Sequence, residues 1–181
     1  MKLACLGEGS NSYRVALRLA RRKGNSGIEL SPYRTMDEVF AALVSEQVDR
    51  GVVPVRNSLT GKIDYLSDVR GFGLRRVSTH SLKINHCIAT KGYNGVGDIG
   101  FIVSHKEALK QCRIYLEENF VLNIPKHEMP STAEAARFVS EVLSNNAAAI
   151  ADPETCRKYG LKIIREDIVK GNYSTFWVVE R

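Results

Sequence analysis

The polar side chains best placed to bind a ligand lie at residues 51–58, which read GVVPVRNS. The apolar part of this segment is typical of a buried strand that ends at about Pro54, and the polar residues Arg56, Asn57 and Ser58 follow it. Because α/β proteins bind ligands just beyond the carboxyl ends of their strands, these side chains form a candidate binding site. Asn-Ser pairs also form turns, and the LTGK that follows contains a glycine, so a purely structural turn is the alternative.

Helix starts provide a second kind of anion-binding group. A helix N-terminus carries unpaired backbone N–H groups and the positive end of the helix dipole. Several such ends opening on one cleft would bind carboxylates, whereas a single cap is explained by helix termination alone. A hydroxyl residue three positions before Glu predicts a capping box, and Asp before Pro predicts a further start. The predicted starts are Thr35 with Glu38, Ser104 with Glu107, Ser131 with Glu134, and Asp152 with Pro153.

Short apolar runs alternate with these helical patterns along the chain. Neither repeats nor a low-complexity linker interrupt the alternation. Strands that each lead into a capped helix are typical of an α/β fold with largely parallel sheets. The predicted strands include Leu3–Leu6, Val52–Val55, Phe101–Val103 and Ala148–Ala151.

The composition excludes several classes of protein. The 181 residues are 44% hydrophobic and 25% charged, which is typical of one compact unit or two small lobes. No apolar stretch reaches the roughly 20 residues that span a membrane, and the N-terminus lacks a signal peptide, so we expect a cytoplasmic protein without a membrane partner. The net charge of +6 suits a small anionic partner. The basic clusters lack interleaved aromatic residues, so we expect no nucleic-acid partner.

Motifs for metals and cofactors are weak or missing. Cys5, Cys87, Cys112 and Cys156 have neither CxxC nor metal-site spacing, which predicts free, mostly buried thiols and no metal. The GxGxxG match at 95–100 precedes a strand and opens no helix, so it does not predict a dinucleotide site. We therefore expect no cofactor.

Over nearly its whole length the chain resembles the prephenate dehydratase family. PVRNS is similar to the family's PVENS, and further matches follow in the family's order. The resemblance implies an α/β fold with two lobes of the periplasmic-binding-protein type II, and an active site in the cleft between them. It also implies one catalytic domain over 1–181, with a first lobe of about 1–77 plus 168–181 and a second of about 78–167. The other matches are His86-Cys87, Ser104-His105, Ala108-Leu109, Gln111-Cys112, Ser131-Thr132, Ala135-Ala136, Ala149–Ala151, Tyr159–Leu161 and Asn172–Phe176.

The sequence departs from the family pattern at functional motifs. The Glu of PVENS is Arg56, and the family's terminal Thr-Arg-Phe reads Ser174, Thr175, Phe176, which keeps a hydroxyl but loses the arginine. The N-terminal glycine loop, which includes Ser10, is also rewritten. The chain ends after the catalytic domain, so we do not expect the phenylalanine-sensing ACT domain. The chain resembles bacilysin-type prephenate decarboxylases of antibiotic pathways in three respects. An ACT domain is not expected, Ser replaces the motif Thr, and the motif Arg is lost.

The resemblance implies a lyase that acts on a small anionic substrate, prephenate or arogenate. The favoured reaction is a non-aromatising decarboxylation, which removes the ring carboxylate of prephenate as carbon dioxide and leaves a dihydro-4-hydroxyphenylpyruvate. A prephenate dehydratase without ACT regulation and a non-catalytic ligand-binding protein are the alternatives. The relatives often dimerise, and for this chain a homodimer stays open.

Three residues are candidates for the chemistry. Ser174 would contact the ring hydroxyl, Asn57 would hold a carboxylate or carbonyl, and the Arg56 cation would stabilise the charge left when carbon dioxide departs. Whether His86 or His105 transfers a proton stays open. The substrate-binding candidates are Ser10, Ser58, Ser104, His105, Gln111, Ser131, Thr132, Thr175 and Phe176.

Overall fold

The computed structural model describes residues 1–24, 27–92, 95–120, 124–142 and 144–181. They form two units, Met1–Lys83 with Tyr173–Arg181 (unit 1) and Ile84–Asn172 (unit 2). The strands are β1 Lys2–Leu6, β2 Glu29–Tyr33, β3 Arg50–Asn57, β4 Gly61–Lys62, β5 Arg75–Lys83, β6 Cys87–Thr90, β7 Phe101–Ser104, β8 Lys126–Glu128, β9 Ala147–Ala151, β10 Lys162–Arg165 and β11 Tyr173–Glu180. The helices are α1 Asn11–Ala20, α2 Met36–Val44, α3 Tyr65–Gly71, α4 Lys106–Gln111, α5 Arg113–Asn119, α6 Thr132–Glu141 and α7 Pro153–Lys158.

Unit 1 contains a mixed sheet in the order β2-β1-β3-β11-β5, with β4 beside β3. Strands β1, β2 and β3 are parallel, whereas β11 runs antiparallel to both β3 and β5. The C-terminal strand therefore lies between two strands from the first half of the chain. This arrangement brings the end of β3 beside the beginning of β11, where both predicted motifs lie.

Helix α2 of unit 1 begins where the sequence predicts a cap. Thr35 and Glu38 form the predicted capping box at the start of α2, with Thr35 Oγ1 accepting from the Glu38 N–H at 3.2 Å. The apolar side of α2 then packs into a core that includes Phe40, Leu43 and Val53. The helix is thus fixed by its cap at one end and by burial along its length.

Unit 2 contains a five-stranded sheet in the order β10-β6-β9-β7-β8. Strands β7, β8 and β9 are parallel, but β6 is antiparallel to both β9 and β10. The prediction of largely parallel sheets is therefore wrong for both units. The sequence pattern shows the strand-helix alternation but not the antiparallel partners, because these come from distant parts of the chain.

Helices cover both faces of the unit 2 sheet. Ala147, Ala149 and Ala151 of β9 pack with α6, while Ala148 and Ile150 point to the opposite side and pack with α4 and α5. All five residues of β9 are buried, as expected for a central strand that is covered on both faces. The continuous apolar run correctly predicts this strand.

The predicted strands near residues 3, 52, 101 and 148 are all present, and β3 extends to Asn57 rather than ending at Pro54. The units change at 83/84 and 172/173, whereas the sequence places the lobe boundaries at about 77 and 168. Strand β5 pairs with β11 as far as Lys83, which keeps residues 78–83 in unit 1. Among the described helices, none is both long and apolar enough to cross a membrane.

Candidate active site

A hydrogen-bonded pair, Asn57 and Ser174, joins the end of β3 to the beginning of β11. The two residues are direct register partners, and both are buried. Asn57 Nδ2 donates to Ser174 Oγ at 3.1 Å and to the Tyr173 carbonyl oxygen at 3.2 Å. Because Ser174 Oγ accepts this bond, its own O–H can donate to another group.

Asn57 also closes the turn that follows it. Its Oδ1 accepts from the backbone N–H groups of Leu59 at 2.9 Å and Thr60 at 3.2 Å. Gly61 then adopts a φ of 86°, which favours glycine, and begins β4. The predicted turn is therefore present, and Asn57 contributes both to it and to the contact with Ser174.

Ser58 binds the same part of β11. Its Oγ accepts from the Tyr173 N–H at 2.9 Å, and its own N–H donates to the Tyr173 carbonyl oxygen at 2.8 Å. The segments PVRNS and NYSTF, which are distant in sequence, are thus linked by both backbone and side-chain hydrogen bonds. The hydroxyl of Ser58 has a structural role here.

Arg56 and Thr175 form a second cross-strand pair, on the opposite face of the strands from Asn57 and Ser174. They are direct register partners, and successive strand residues point to opposite faces. Arg56 is exposed and Thr175 is half-buried. Among the described residues, no carboxylate forms an ion pair with Arg56.

Ser10 and Phe176 have clear structural roles in unit 1. Ser10 is the N-cap of α1, and its Oγ accepts from the Tyr13 N–H at 3.0 Å. Phe176 is only 2% exposed and is among the largest buried side chains. A ligand contact by either residue stays a prediction.

In unit 2, the cap of α4 is His105 and not Ser104. The predicted capping box of Ser104 with Glu107 is wrong, because Ser104 still belongs to β7 and its Oγ donates to the Ile150 carbonyl oxygen at 2.6 Å. His105 Nδ1 instead accepts from the Glu107 N–H at 3.3 Å. Burial lowers the pKa of His105, which favours the neutral ring that this acceptor role requires.

Ser131 caps α6 as predicted, and Thr132 is the first residue of the helix. Ser131 Oγ accepts from the Glu134 N–H at 3.0 Å. The Glu134 carboxylate binds Arg137 at 2.7 Å. Of the two hydrogen bonds of the predicted capping box, the one that the Ser131 side chain accepts is therefore confirmed.

Gln111 lies at the end of α4 and contacts two side chains from distant segments. Its Oε1 accepts from Asn172 Nδ2 at 2.8 Å and lies 2.8 Å from His86 Nε2. Burial lowers the pKa of His86, although the hydrogen bond to Gln111 partly opposes this effect. His86 is therefore neutral at physiological pH, and in this state its Nε2 donates to Gln111.

The structure thus brings the candidate residues together in small groups. Asn57 pairs with Ser174, Arg56 with Thr175, and Gln111 with His86. Tyr173 and Asn172, which bind Ser58 and Gln111, were not predicted as partners, although both lie in the matching segment Asn172–Phe176. Within the described parts of the chain, no cluster of three His, Cys, Asp or Glu side chains could hold a metal ion.

The fold is that of periplasmic-binding-protein type II-like proteins. A putative methionine-binding lipoprotein from Bacillus subtilis superposes with a TM-score of 0.61 at 14% identity, over 100% of this chain and 83% of that one. A prephenate dehydratase from Arthrobacter aurescens, solved in complex with L-Phe, superposes with a TM-score of 0.78 at 24% identity, over 100% of this chain and 60% of that one. At these identities the likeness shows the fold alone.

The family is shown by the sequence comparisons. The prephenate dehydratase family model matches residues 3–181, and the chain belongs to this family. It is 31% identical over 150 residues to arogenate dehydratase/prephenate dehydratase 2 of Arabidopsis thaliana, covering 82% of this chain and 39% of the relative. It is 30% identical over 160 residues to prephenate dehydratase of Bacillus subtilis, covering 85% of this chain and 56% of the relative. The chain therefore spans about half the length of these relatives, or less.

Proposed function

We propose that this chain is a lyase that removes the ring carboxylate of prephenate as carbon dioxide and leaves the ring hydroxyl in place. Membership in the prephenate dehydratase family supports a substrate of this kind. The choice of a non-aromatising decarboxylation is supported by one observation, the cross-strand pair of Arg56 and Thr175.

The two main departures from the family motifs lie opposite each other in this pair. Position 56 matches the Glu of PVENS, and position 175 matches the Arg of Thr-Arg-Phe. Direct cross-strand partners have Cβ atoms about 5 Å apart, so the motif residues of opposite charge would be neighbours there. In this chain the cation lies on β3 instead of β11, and Lys62, the register partner of Arg56 on β4, adds a second positive charge beside it. The accessible side chain of Arg56 suits an anionic group of a substrate.

The position of this positive charge affects whether the C–O bond of prephenate breaks after carbon dioxide has left. Loss of carbon dioxide leaves an electron pair that spreads over the ring dienyl carbons. If hydroxide then leaves, the ring becomes aromatic; if a carbon takes up a proton, the hydroxyl stays. A cation near the ring stabilises the developing negative charge and gives time for protonation. At about 4 Å and an effective dielectric constant of about 20, such an interaction contributes about 4 kcal/mol, and less where water intervenes.

The remaining candidates would bind and orient the substrate. Asn57 holds Ser174, whose hydroxyl would contact the ring hydroxyl. Because Ser174 and Arg56 lie on opposite faces of the strands, both would reach one ring only where the substrate binds at the end of β3 and the beginning of β11. In unit 2, the capped starts of α4 and α6 and the carboxamide of Gln111 would bind carboxylate or carbonyl oxygens.

A second candidate is prephenate dehydration, and it is favoured by the hydrogen bond between Asn57 and Ser174. This bond leaves the serine O–H as a donor. A positioned donor is what the departure of hydroxide requires, because hydroxide is a poor leaving group. The reaction would then yield phenylpyruvate.

The test is to incubate the purified chain with prephenate and follow the ring protons by NMR, beside a sample without enzyme. Retained olefinic signals with release of carbon dioxide would support the decarboxylase. Aromatic signals above the spontaneous rate would overturn it in favour of the dehydratase. An unchanged spectrum, with arogenate as well, would instead favour a non-catalytic binding protein.

A matched variant tests whether the cross-strand pair of Arg56 and Thr175 decides the product. The double substitution Arg56→Glu with Thr175→Arg restores the charges of the family motif on both strands. We expect the double variant to shift the product from the olefinic ketoacid toward phenylpyruvate. An unchanged product ratio in a folded, active double variant would show that this pair does not decide the outcome.

A further inference from the structure

The carboxamide of Gln111 is oriented by two buried side chains, His86 and Asn172. Both lie 2.8 Å from Gln111 Oε1, through His86 Nε2 and Asn172 Nδ2. His86 is 4% exposed and Asn172 is fully buried, whereas Gln111 is only partly buried. A carboxamide oxygen has two lone pairs, so two N–H donors saturate it. The oxygen is therefore turned inward, and the NH₂ group is the end that a ligand can reach.

The ring of His86 has one state that satisfies this geometry. Because Gln111 Oε1 already accepts from Asn172, Nε2 of His86 must carry the hydrogen. Its Nδ1 is buried and has no hydrogen-bond partner among the described residues. Protonation of Nδ1 would bury an unpaired charge, so the neutral ring with hydrogen on Nε2 is the stable form.

The backbone fixes the positions of both donors. The Ile84 N–H donates to the Asn172 carbonyl oxygen at 2.8 Å, and the Ile168 N–H donates to that of His86 at 3.1 Å. Gln111 is consequently held in one orientation before any ligand arrives.

We propose that His86 and Asn172 are positioning residues that make Gln111 a donor-only group toward the substrate. Gln111 then binds a hydrogen-bond acceptor, a carboxylate or a keto oxygen, and disfavours an ammonium group at the same place. The identity of that substrate rests on the proposed function, whereas the orientation of Gln111 does not.

The orientation can be tested without substrate by nitrogen-15 NMR of the histidine rings. We expect one ring to be neutral, with hydrogen on Nε2, between pH 6 and 8, and its signals to be absent from His86→Gln. A His86 ring with hydrogen on Nδ1, or one that is protonated in this range, would overturn the proposal. This result is independent of turnover, so its failure is distinguishable from failure of the proposed function.

The consequence for the substrate can be tested by kinetics on prephenate. His86→Met removes the donor, and we expect kcat/KM to fall about 10-fold, mainly through KM. His86→Gln keeps an N–H at a similar place and should stay within about 3-fold of the wild type. His127→Met, at an exposed histidine of β8, is the matched control and should be unchanged.

A double-mutant cycle separates positioning from general damage to the fold. If His86 acts through Gln111, His86→Met should have no further effect in a Gln111→Ala background. Equal losses with and without Gln111, or a His86→Gln variant as weak as His86→Met, would overturn the proposal. If the chain does not turn over prephenate, the same cycle can be read from the prephenate Kd.

Discussion

Replacement of Asn57 by Ala should cost stability as well as activity. The substitution removes two bonds that Nδ2 donates within the buried junction of β3 and β11, and two that Oδ1 accepts in the turn. A buried hydrogen bond contributes about 1 kcal/mol, and the turn N–H groups recover part of their loss by binding water. We therefore expect the free energy of unfolding to fall by about 2–3 kcal/mol, with a Tm lower by about 4–12 °C for a chain of this size.

Urea unfolding followed by tryptophan fluorescence measures this loss directly. The single tryptophan, Trp177, lies on β11 three residues beyond Ser174 and reports on the same junction. Ser174→Ala removes one partner of the shared bond, so the double variant should be more stable than the sum of the single losses predicts, by about 1 kcal/mol. Strict additivity, or an Asn57→Ala variant within about 0.5 kcal/mol of the wild type, would refute the reasoning. A free energy of unfolding of about 5–15 kcal/mol tolerates this loss, so the Asn57→Ala variant should stay folded at 25 °C, and its turnover should be measured at that temperature.

Three further outcomes follow from the described contacts. Thr35→Ala should lower the free energy of unfolding by about 1 kcal/mol in urea, because the N–H of Glu38 loses its acceptor, whereas Thr35→Ser should not. Burial lowers the pKa of His86 below the value of about 6.5 in the unfolded chain, so the stability that the neutral ring contributes is complete above that pH and is lost as the pH falls toward the folded pKa. His86→Gln should therefore weaken the dependence of the unfolding free energy on pH. An unchanged slope of unfolding free energy against pH would contradict this. Ellman's reagent should detect almost no reactive thiol in the native chain and four after denaturation, because all four cysteines are buried. Burial also raises the pKa of Cys5 to about 11 and that of Cys112 to about 12. A rapidly reacting native thiol would be inconsistent with this burial.

Local patterns predict the elements of this fold well. The caps at Thr35, Ser131 and Asp152 are present because each depends on residues three positions apart or closer. The capping box predicted at Ser104 is wrong because of a contact between residues that are far apart in sequence. Its hydroxyl donates to a neighbouring strand, at Ile150, and this contact is invisible in the local sequence. The next residue, His105, then takes over the cap.

The candidate residues could be predicted from the sequence, but their partners could not. The position of β11 between β3 and β5 follows from the packing of the whole unit. Only that position shows that Asn57 meets Ser174 and that Ser58 meets Tyr173. The contact of Gln111 with His86 and Asn172 likewise joins three separate segments. A hydroxyl or carboxamide that the sequence suggests as a ligand group can therefore have most of its bonding capacity committed to the fold.

The register of β3 and β11 changes how the departures from the family pattern must be interpreted. Read along the sequence, the charge reversal at Arg56 and the lost arginine at Thr175 are two independent defects of a catalytic motif. In the sheet they are one cross-strand pair, in which a positive charge has moved to the other strand and its acidic neighbour is gone. Thr175→Arg alone would place two cations opposite each other, and Arg56→Glu alone would place a carboxylate opposite Thr175, with Lys62 of β4 as its cationic neighbour on the other side. Each single reversal therefore creates an arrangement that neither this chain nor the family motif contains, and only the double substitution compares the two electrostatic solutions.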